Sequence, residues 1–236
     1  MTSIENTQML DEIEPQPLRD LLLTGLVTAA STLSALLLLP YLLPGLTLSM
    51  TGADPKVFWY LSRGSAIASY GLLWLSMVFG VLLTNKLAQL WPGASLAYEV
   101  HQFVSLLGLA FGLLHGLLLM GDHYIQYSLA QVLTPFASVD YRPGWVGLGQ
   151  LGFYCWAIIV GSFYVRKRIG RKAWRWIHLT SFICFLLALV HGLASGTDTS
   201  TATAQLYYWA SGGILLFLIV YRVLGTVMKN QVAPAR

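Results

Sequence analysis

The chain has 236 residues, of which 56% are hydrophobic and only 10% charged, and its net charge is +4. Soluble domains carry about 25% charged residues, so charges this sparse exclude an ordinary soluble protein and favour one that crosses a membrane several times. The small positive charge does not indicate a nucleic-acid-binding protein, because the cations lie beside apolar segments, where they set membrane topology.

The first 17 residues are polar and acidic, with no basic region before a short apolar core. This composition argues against a cleaved signal peptide and predicts a disordered tail over residues 1–17. We predict a membrane domain over residues 18–229 and a second short tail over residues 230–236.

Six uncharged runs follow in chain order, and each supplies about the 20 residues that a helix needs to cross a bilayer. They cover residues 21–43, 64–84, 100–121, 143–165, 176–197 and 206–221. Only helices satisfy their own backbone groups within lipid. The sequence therefore predicts an all-α membrane protein built as a bundle of six transmembrane helices.

Basic residues predict the orientation of this bundle. Eleven of the fourteen lysines and arginines fall on one side, and the other side holds only Lys56, Arg63 and Arg142. By the positive-inside rule, both termini and the loop at residues 165–174 are expected to be cytoplasmic, and the longest loop, at residues 121–142, is expected outside. We expect a multi-pass protein of a bacterial-type inner membrane.

Four of the five histidines lie inside the third and fifth runs. His101 and His115 are 14 residues apart, and His178 and His191 are 13 residues apart. Histidine is expensive in hydrocarbon and usually marks a site there. Both runs cross in the same direction, so His101 and His178 are expected near the cytoplasmic face and the other two near the outer face.

Neutral imidazoles are axial ligands of haem iron, and two of them per iron leave no position for oxygen. The four histidines therefore predict two bis-histidine haems stacked across the membrane. No C-x-x-C-H motif occurs, so the haems would be bound non-covalently. For any one such histidine taken alone, a hydrogen-bonded residue between helices is the other interpretation.

The helical phase of the two pairs differs. A step of 14 residues returns to within about 40° of the starting face, whereas a step of 13 misses it by about 140° in an ideal helix. The fifth span therefore needs a tilt, a bulge or a different angle of approach. In the third span, Gly108, Gly112 and Gly116 leave either room for a flat ring or close helix packing.

Two further residues are candidates near the outer face. Arg63, at the start of the second span, is the best partner there for the carboxylates of a haem, with an interfacial anchor as the alternative. His123 is interpreted as a solvated loop residue, with a contact to a metal or an electron acceptor as the alternative.

Three segments carry a family resemblance: SRGSAIASYGLLWLSMVFG (62–80), EVHQFVSLLGLAFGLLHGLLL (99–119) and GRKAWRWIHLTSFICFLLALVHG (170–192). Over residues 57–200 the chain resembles the ferric reductase-like transmembrane domain family. This family includes eukaryotic ferric reductases, the membrane part of NADPH oxidases, and the haem subunit of the periplasmic methionine sulfoxide reductase system. The histidine spacing matches the oxidase branch.

The resemblance implies six helices and two b-type haems. It implies that His101 pairs with His178 and that His115 pairs with His191, and it matches Arg63 to the family's arginine at the start of the second helix. It also implies transmembrane electron transfer to an outer acceptor such as ferric iron, oxygen or a periplasmic reductase.

The electron source is expected to be a separate molecule. No G-x-G-x-x-G motif occurs, and 15 residues follow Tyr221, so we expect an oxidoreductase component without its own flavin or nicotinamide domain. The donor would be a cytosolic flavoprotein reductase or membrane quinol. Two alternatives are a quinol-linked cytochrome b subunit of a periplasmic reductase, and a non-redox transporter or scaffold with structural histidines.

Overall fold

A computed structural model describes residues 56–232, with the exception of 86, 90–92 and 140. It also describes six positions between 22 and 33. In this part of the chain every regular element is helical, with one 3-10 turn at Leu87–Gln89. The α-helices are α1 (Val57–Thr84), α2 (Ala94–Leu118), α3 (Leu129–Leu133), α4 (Pro143–Tyr164), α5 (Arg166–Ile169), α6 (Arg171–Leu179), α7 (Ser181–Ser195) and α8 (Ala202–Val232).

Five helical stretches are long and apolar enough to cross a membrane: Val57–Thr84, Ala94–Leu118, Pro143–Tyr164, Arg171–Ser195 and Ala202–Met228. They coincide with the second to sixth predicted spans, which confirms the prediction of an all-helical, multi-pass membrane protein. The first predicted span and the tail at residues 1–17 lie almost entirely outside the described residues. Six spans and the sides of the two termini therefore stay predictions, as does the second tail, although α8 extends to Val232.

Local sequence explains several helix boundaries. Pro143 begins α4, where its missing N–H costs nothing and its fixed φ suits the first turn. Gly170, with a φ of 84°, separates α5 from α6 in a backbone conformation that glycine adopts without strain. Ser128 and Gln131 form a reciprocal capping box at the start of α3.

The helices pack mainly as two pairs, α1 with α2 and α4 with α7, and α8 lies against α1. Large apolar side chains such as those of Trp209 and Phe217 face outward from α8, as lipid-facing residues do. The buried core lies where the pairs meet and is formed by Tyr70, Leu73, Met77, Val81, Trp156, Ile159, Cys184, Phe185 and Leu215. Helices α1, α4, α7 and α8 thus share one apolar centre.

The fifth predicted span is interrupted at Thr180. The Thr180 backbone N–H donates to the carbonyl of Ile177 at 3.0 Å, three residues back rather than four. The Thr180 hydroxyl donates to the same carbonyl at 2.6 Å. This break separates α6, which carries His178, from α7, which carries His191. The backbone between the two histidines therefore departs from an ideal straight helix.

Glycines in α2 serve close packing. A Cβ at Gly108 would lie 2.5 Å from Trp156 Cη2 and 2.9 Å from Leu72 Cβ, and one at Gly112 would lie 3.1 Å from Ser69 Oγ. Of the two interpretations of the glycine run, the structure shows helix packing at Gly108, because Trp156 of α4 fills the space that a side chain would take.

Replacing Gly108 with alanine should therefore destabilise the bundle. Overpacking of a tight core costs about 1–3 kcal/mol, which we expect as a loss in free energy of unfolding, measured by SDS titration in mixed micelles. Gly161→Ala is the matched control, because a Cβ at Gly161 in α4 has no neighbour within 4 Å. Equal stability of the two variants would contradict the proposed packing.

Candidate functional site

Two histidine pairs lie at opposite ends of the helix bundle. We call the end that carries residues 166–175 the basic end, and the end that carries residues 119–142 the loop end. At the basic end, the rings of His101 (α2) and His178 (α6) have centroids 6.1 Å apart, and their planes meet at 69°. At the loop end, the centroids of His115 (α2) and His191 (α7) are 6.3 Å apart at 65°.

Three of these imidazoles donate a hydrogen bond to a backbone carbonyl. His101 Nδ1 lies 2.8 Å from the carbonyl oxygen of Ser76, His115 Nδ1 lies 2.8 Å from that of Ser62, and His191 Nδ1 lies 2.9 Å from that of Trp145. A carbonyl can only accept, so Nδ1 carries the proton and the lone pair is on Nε2. This is the arrangement typical of histidines that bind a metal through Nε2.

The serines on α1 follow the same spacing as the histidines on α2. Ser62 contacts His115 and Ser76 contacts His101, while midway between them the Ser69 hydroxyl donates to the carbonyl of Gly108 at 2.8 Å. Each step is seven residues on both helices, about two turns. The antiparallel α1–α2 pair is therefore held in one register, and that register orients both α2 histidines.

His178 is positioned differently. Its ring stacks on Trp174, one helical turn earlier, with centroids 5.2 Å apart and an interplanar angle of 29°. Stacking on a large ring restricts the rotation of the imidazole. In the described part of the chain, this contact takes the place of the backbone hydrogen bond that holds the other three histidines.

His191 depends on a glycine in the neighbouring helix. A Cβ at Gly149 of α4 would lie 2.5 Å from Nδ1 of His191 and 2.6 Å from its Cγ. Real Cβ atoms do not approach a ring this closely. The absence of a side chain at position 149 therefore lets the imidazole lie against α4 and reach the carbonyl of Trp145.

The gap within each pair fits one metal ion between two imidazoles. A metal–imidazole bond of about 2.0–2.1 Å, plus about 1.1 Å from the nitrogen to the ring centre, separates opposed ring centroids by about 6.2–6.4 Å. The observed separations are 6.1 and 6.3 Å. The residues thus fit the haem iron that the sequence predicts, with its other four ligands supplied by the macrocycle.

A bare metal ion fits less well. Among the residues that the structure describes, no group of three or more His, Cys, Asp or Glu side chains is arranged to hold one. Structural metal sites usually have four protein ligands and catalytic sites three. Two facing imidazoles alone favour a metal that brings its remaining ligands with it.

A cavity of about 670 Å³ surrounds the loop-end pair. Its volume falls within the range of about 300–1,000 Å³ that is usual for small-molecule and cofactor sites. Both His115 and His191 line it, together with Arg63 and Asp198. Most of the remaining wall is aromatic or aliphatic, and includes Tyr70, Phe153, Trp156, Tyr207 and Tyr208. The cavity therefore combines one histidine pair with a largely apolar wall that carries charge on one side.

Arg63 lies in this wall and forms an ion pair with Asp198. Its guanidinium also lies 4.0 Å from the ring centre of Trp59. Arginine was predicted here as a partner for haem carboxylates or as an interfacial anchor, and its position in the cavity wall is compatible with both. Asp198, which follows α7, was not predicted from the sequence.

The loop at residues 119–142 covers the cavity and is fastened to the helices. Tyr141 donates from its hydroxyl to the carbonyl of Ser195 at 2.8 Å, and Arg142 donates to the carbonyl of Ala194. The amide of Gln150 in α4 donates to the carbonyls of Gln131 and Val132 at 2.6 and 2.8 Å. The bonds from Tyr141 and Arg142 satisfy two free carbonyls at the end of α7, and the bonds from Gln150 hold the loop against α4.

His123 does not join either histidine pair. It is exposed in the loop, next to the buried Asp122, whose carboxylate accepts from the backbone N–H of Tyr124 and Ile125 at 2.9 Å each. Asp122 thus stabilises a turn. The two cysteines, Cys155 and Cys184, are both free and belong to the packed interior between α4 and α7.

The residues that sequence reasoning missed are those that orient the histidines. Ser62, Ser69 and Ser76 carry a recognisable signal, because their seven-residue spacing on one helix matches that of His101, Gly108 and His115 on the next. Trp174 is four residues before His178, the spacing at which helical side chains meet. Gly149 and the carbonyl of Trp145 have no comparable signal, because their roles depend on how α4 packs.

A protein-family model described as "Domain of unknown function (DUF8596)" matches residues 57–198. The matched region contains the four paired histidines, Arg63 and Asp198. No curated protein and no solved structure matches the chain. The geometry of the two histidine pairs is therefore the main indication of what the chain does.

Replacing Gly149 with alanine should displace the ring of His191 and weaken the loop-end site alone. We expect haem content to fall from about two to about one per chain, since a site with one axial imidazole binds less tightly. The measurement is a pyridine haemochrome assay on purified protein. Gly144→Ala, in the same helix with no neighbour within 4 Å, is the control; unchanged haem content in both variants would contradict the prediction.

Proposed function

The chain belongs to the DUF8596 family, and we propose that it is a membrane cytochrome b that carries electrons across the bilayer through two non-covalently bound b-type haems. His101 and His178 would hold the haem at the basic end, and His115 and His191 the haem at the loop end. The proposal agrees with the resemblance of residues 57–200 to the ferric reductase-like transmembrane domain family.

One observation carries this proposal: two imidazole pairs, each with the separation that a single iron requires, occur in one bundle at two depths. The ring centroids are 6.1 and 6.3 Å apart in the two pairs. The levels are about 21 Å apart along α2, since 14 residues rise by about 1.5 Å each. Histidines with only a structural role between helices would not be expected to have the same ring separation at both ends of the bundle.

The chain would hold the histidines that bind the iron in place and would keep small molecules from binding the same iron. A bound haem supplies a reversible one-electron change at its iron. Because both imidazoles of a pair would hold the iron, no position would remain on it for a competing small ligand. The carbonyls of Ser76, Ser62 and Trp145 accept from Nδ1, which fixes the tautomer and makes Nε2 a stronger donor to the metal.

An aromatic layer lies between the two levels. Tyr70 of α1 and Phe185 of α7 are both buried, with ring centroids 5.7 Å apart, and each is about midway between the histidine levels of the sequence. Trp156 packs beside them in the same core. Phe182 is partly buried against the same core. The layer keeps water out of the path between the sites.

The direction of transfer follows from the predicted orientation. One electron at a time would leave a reduced donor at the basic end and reach an oxidised acceptor at the loop end, across a bacterial-type inner membrane. Arg168, Lys172 and Arg175 are exposed at the basic end and suit an acidic donor protein, such as a flavoprotein reductase. Membrane quinol is the other donor; ferric iron, oxygen or a periplasmic reductase is the acceptor.

The decisive test is haem quantification on protein purified after haem-sufficient expression. We expect about two haems per chain, a low-spin bis-histidine spectrum and two redox transitions. Protein that folds but shows no Soret band would contradict the proposal and favour a non-redox transporter or scaffold with structural histidines.

Single histidine variants test the pairing. His115→Ala and His191→Ala should each remove the same haem and leave the other, so haem content falls to about one per chain with the same remaining redox transition. His123→Ala is the matched control, because this exposed histidine contacts neither pair. If His115→Ala and His191→Ala retained different haems, the assignment of partners would be wrong.

Arg63 and Asp198 test the electrostatics of the loop-end site. Removing the guanidinium in Arg63→Ala takes a cation from beside the metal, which favours the oxidised iron and lowers the midpoint potential of the loop-end haem. Asp198→Asn leaves Arg63 without its carboxylate partner and should raise that potential. Spectroelectrochemical titration measures both; shifts of the same sign, or none, would contradict a direct electrostatic role.

A further inference from the structure

Trp174 has a buried hydrogen-bond donor that no group in the described part of the chain satisfies. Within the described residues, three buried side-chain polar atoms lack a hydrogen-bond partner: Asn85 Nδ2, Trp174 Nε1 and Ser195 Oγ. Trp174 is the one whose ring stacks on a paired histidine, His178. An indole N–H can only donate. A buried donor without an acceptor is costly, so this one calls for an acceptor beyond the residues that the structure describes.

The surroundings of Trp174 favour an anionic acceptor. Arg171, Lys172 and Arg175 lie on the same short helix, and the sequence contains no Asp or Glu between Asp140 and Asp198. This helix therefore places positive charge beside the indole N–H and contains no acidic side chain. Trp174 is also one turn nearer than His178 to the basic end, where charged groups of a bound ligand avoid the apolar interior.

We propose that the Trp174 Nε1–H donates a hydrogen bond to a carboxylate of the haem that His101 and His178 hold. The inference rests on the proposed function and adds a contact to it: Trp174 would orient His178 by stacking and bind the haem's carboxylate through its N–H. A lipid phosphate is an anionic acceptor of the same chemistry, and the experiment separates the two sources.

The central variant is Trp174→Phe, which keeps a stacking ring and removes the N–H. Losing a donor to a carboxylate leaves more negative charge near the iron, so the midpoint potential of the basic-end haem should fall and that of the loop-end haem should not change. A hydrogen bond to a charged group is worth enough to weaken retention of that haem about tenfold. Trp176→Phe, on the same helix but 65% exposed, should change neither.

The lipid arm uses nanodiscs. The comparison environment is a delipidated sample in dodecyl maltoside, a detergent that contains no phosphate. If Trp174→Phe lowers the potential equally in this detergent and in phosphatidylglycerol nanodiscs, the acceptor belongs to the haem. A shift seen only with phosphatidylglycerol would overturn the inference, because the N–H would then serve a lipid phosphate. An unchanged potential with normal haem retention would also overturn it.

A second pair of variants separates the donor from the ring if Trp174→Phe does not accumulate. Trp174→Gln keeps an N–H donor without a ring, and Trp174→Leu keeps neither; the glutamine variant should have the higher potential, and equal potentials would overturn the inference. The wild-type haem count is measured first. Wild-type protein without haem overturns the proposed function, whereas two haems with no effect at position 174 overturn this inference alone.

Discussion

The register between α1 and α2 is the constraint on which the two sites depend. Ser62, Ser69 and Ser76 meet His115, Gly108 and His101 in turn, so three contacts at equal spacing lock the antiparallel pair. A slip of one residue would rotate the serines by about 100° about the helix axis and remove all three contacts together. The two α2 histidines are therefore oriented by a single interface, and an error in that interface would affect both ends of the bundle.

The opposite ligands have no such shared interface. His191 depends on the carbonyl of Trp145 and on the missing side chain at Gly149, whereas His178 depends on Trp174 and on the break at Thr180. Despite these different supports, the ring separations differ by only 0.2 Å, from 6.1 to 6.3 Å. Different contacts thus produce nearly equal gaps, and an equal gap at both ends is what the proposed haem sites require.

Much of this arrangement could be predicted from the sequence, because sparse charge reveals spans and histidine is conspicuous in an apolar run. The five described spans and the sorting of histidines by depth follow from these two signals. The acceptor of the His191 Nδ1 hydrogen bond, the carbonyl of Trp145, could not be predicted, since a backbone carbonyl leaves no trace in residue identity. The Arg63–Asp198 ion pair also escaped prediction, because it joins the start of one helix to a loop more than a hundred residues later. The role of Gly108 could not be predicted either, because the contact with Trp156 depends on how α4 packs against α2.

The α1–α2 register has a consequence for biogenesis. Because all three of its contacts lie within residues 62–115, the hairpin contains everything that it needs to dock once both helices are in the bilayer. The ligands His178 and His191 are synthesised later. His101 and His115 would thus be oriented before the later helices are inserted into the membrane. A cofactor bound between the early and late histidines would then link the two halves of the protein.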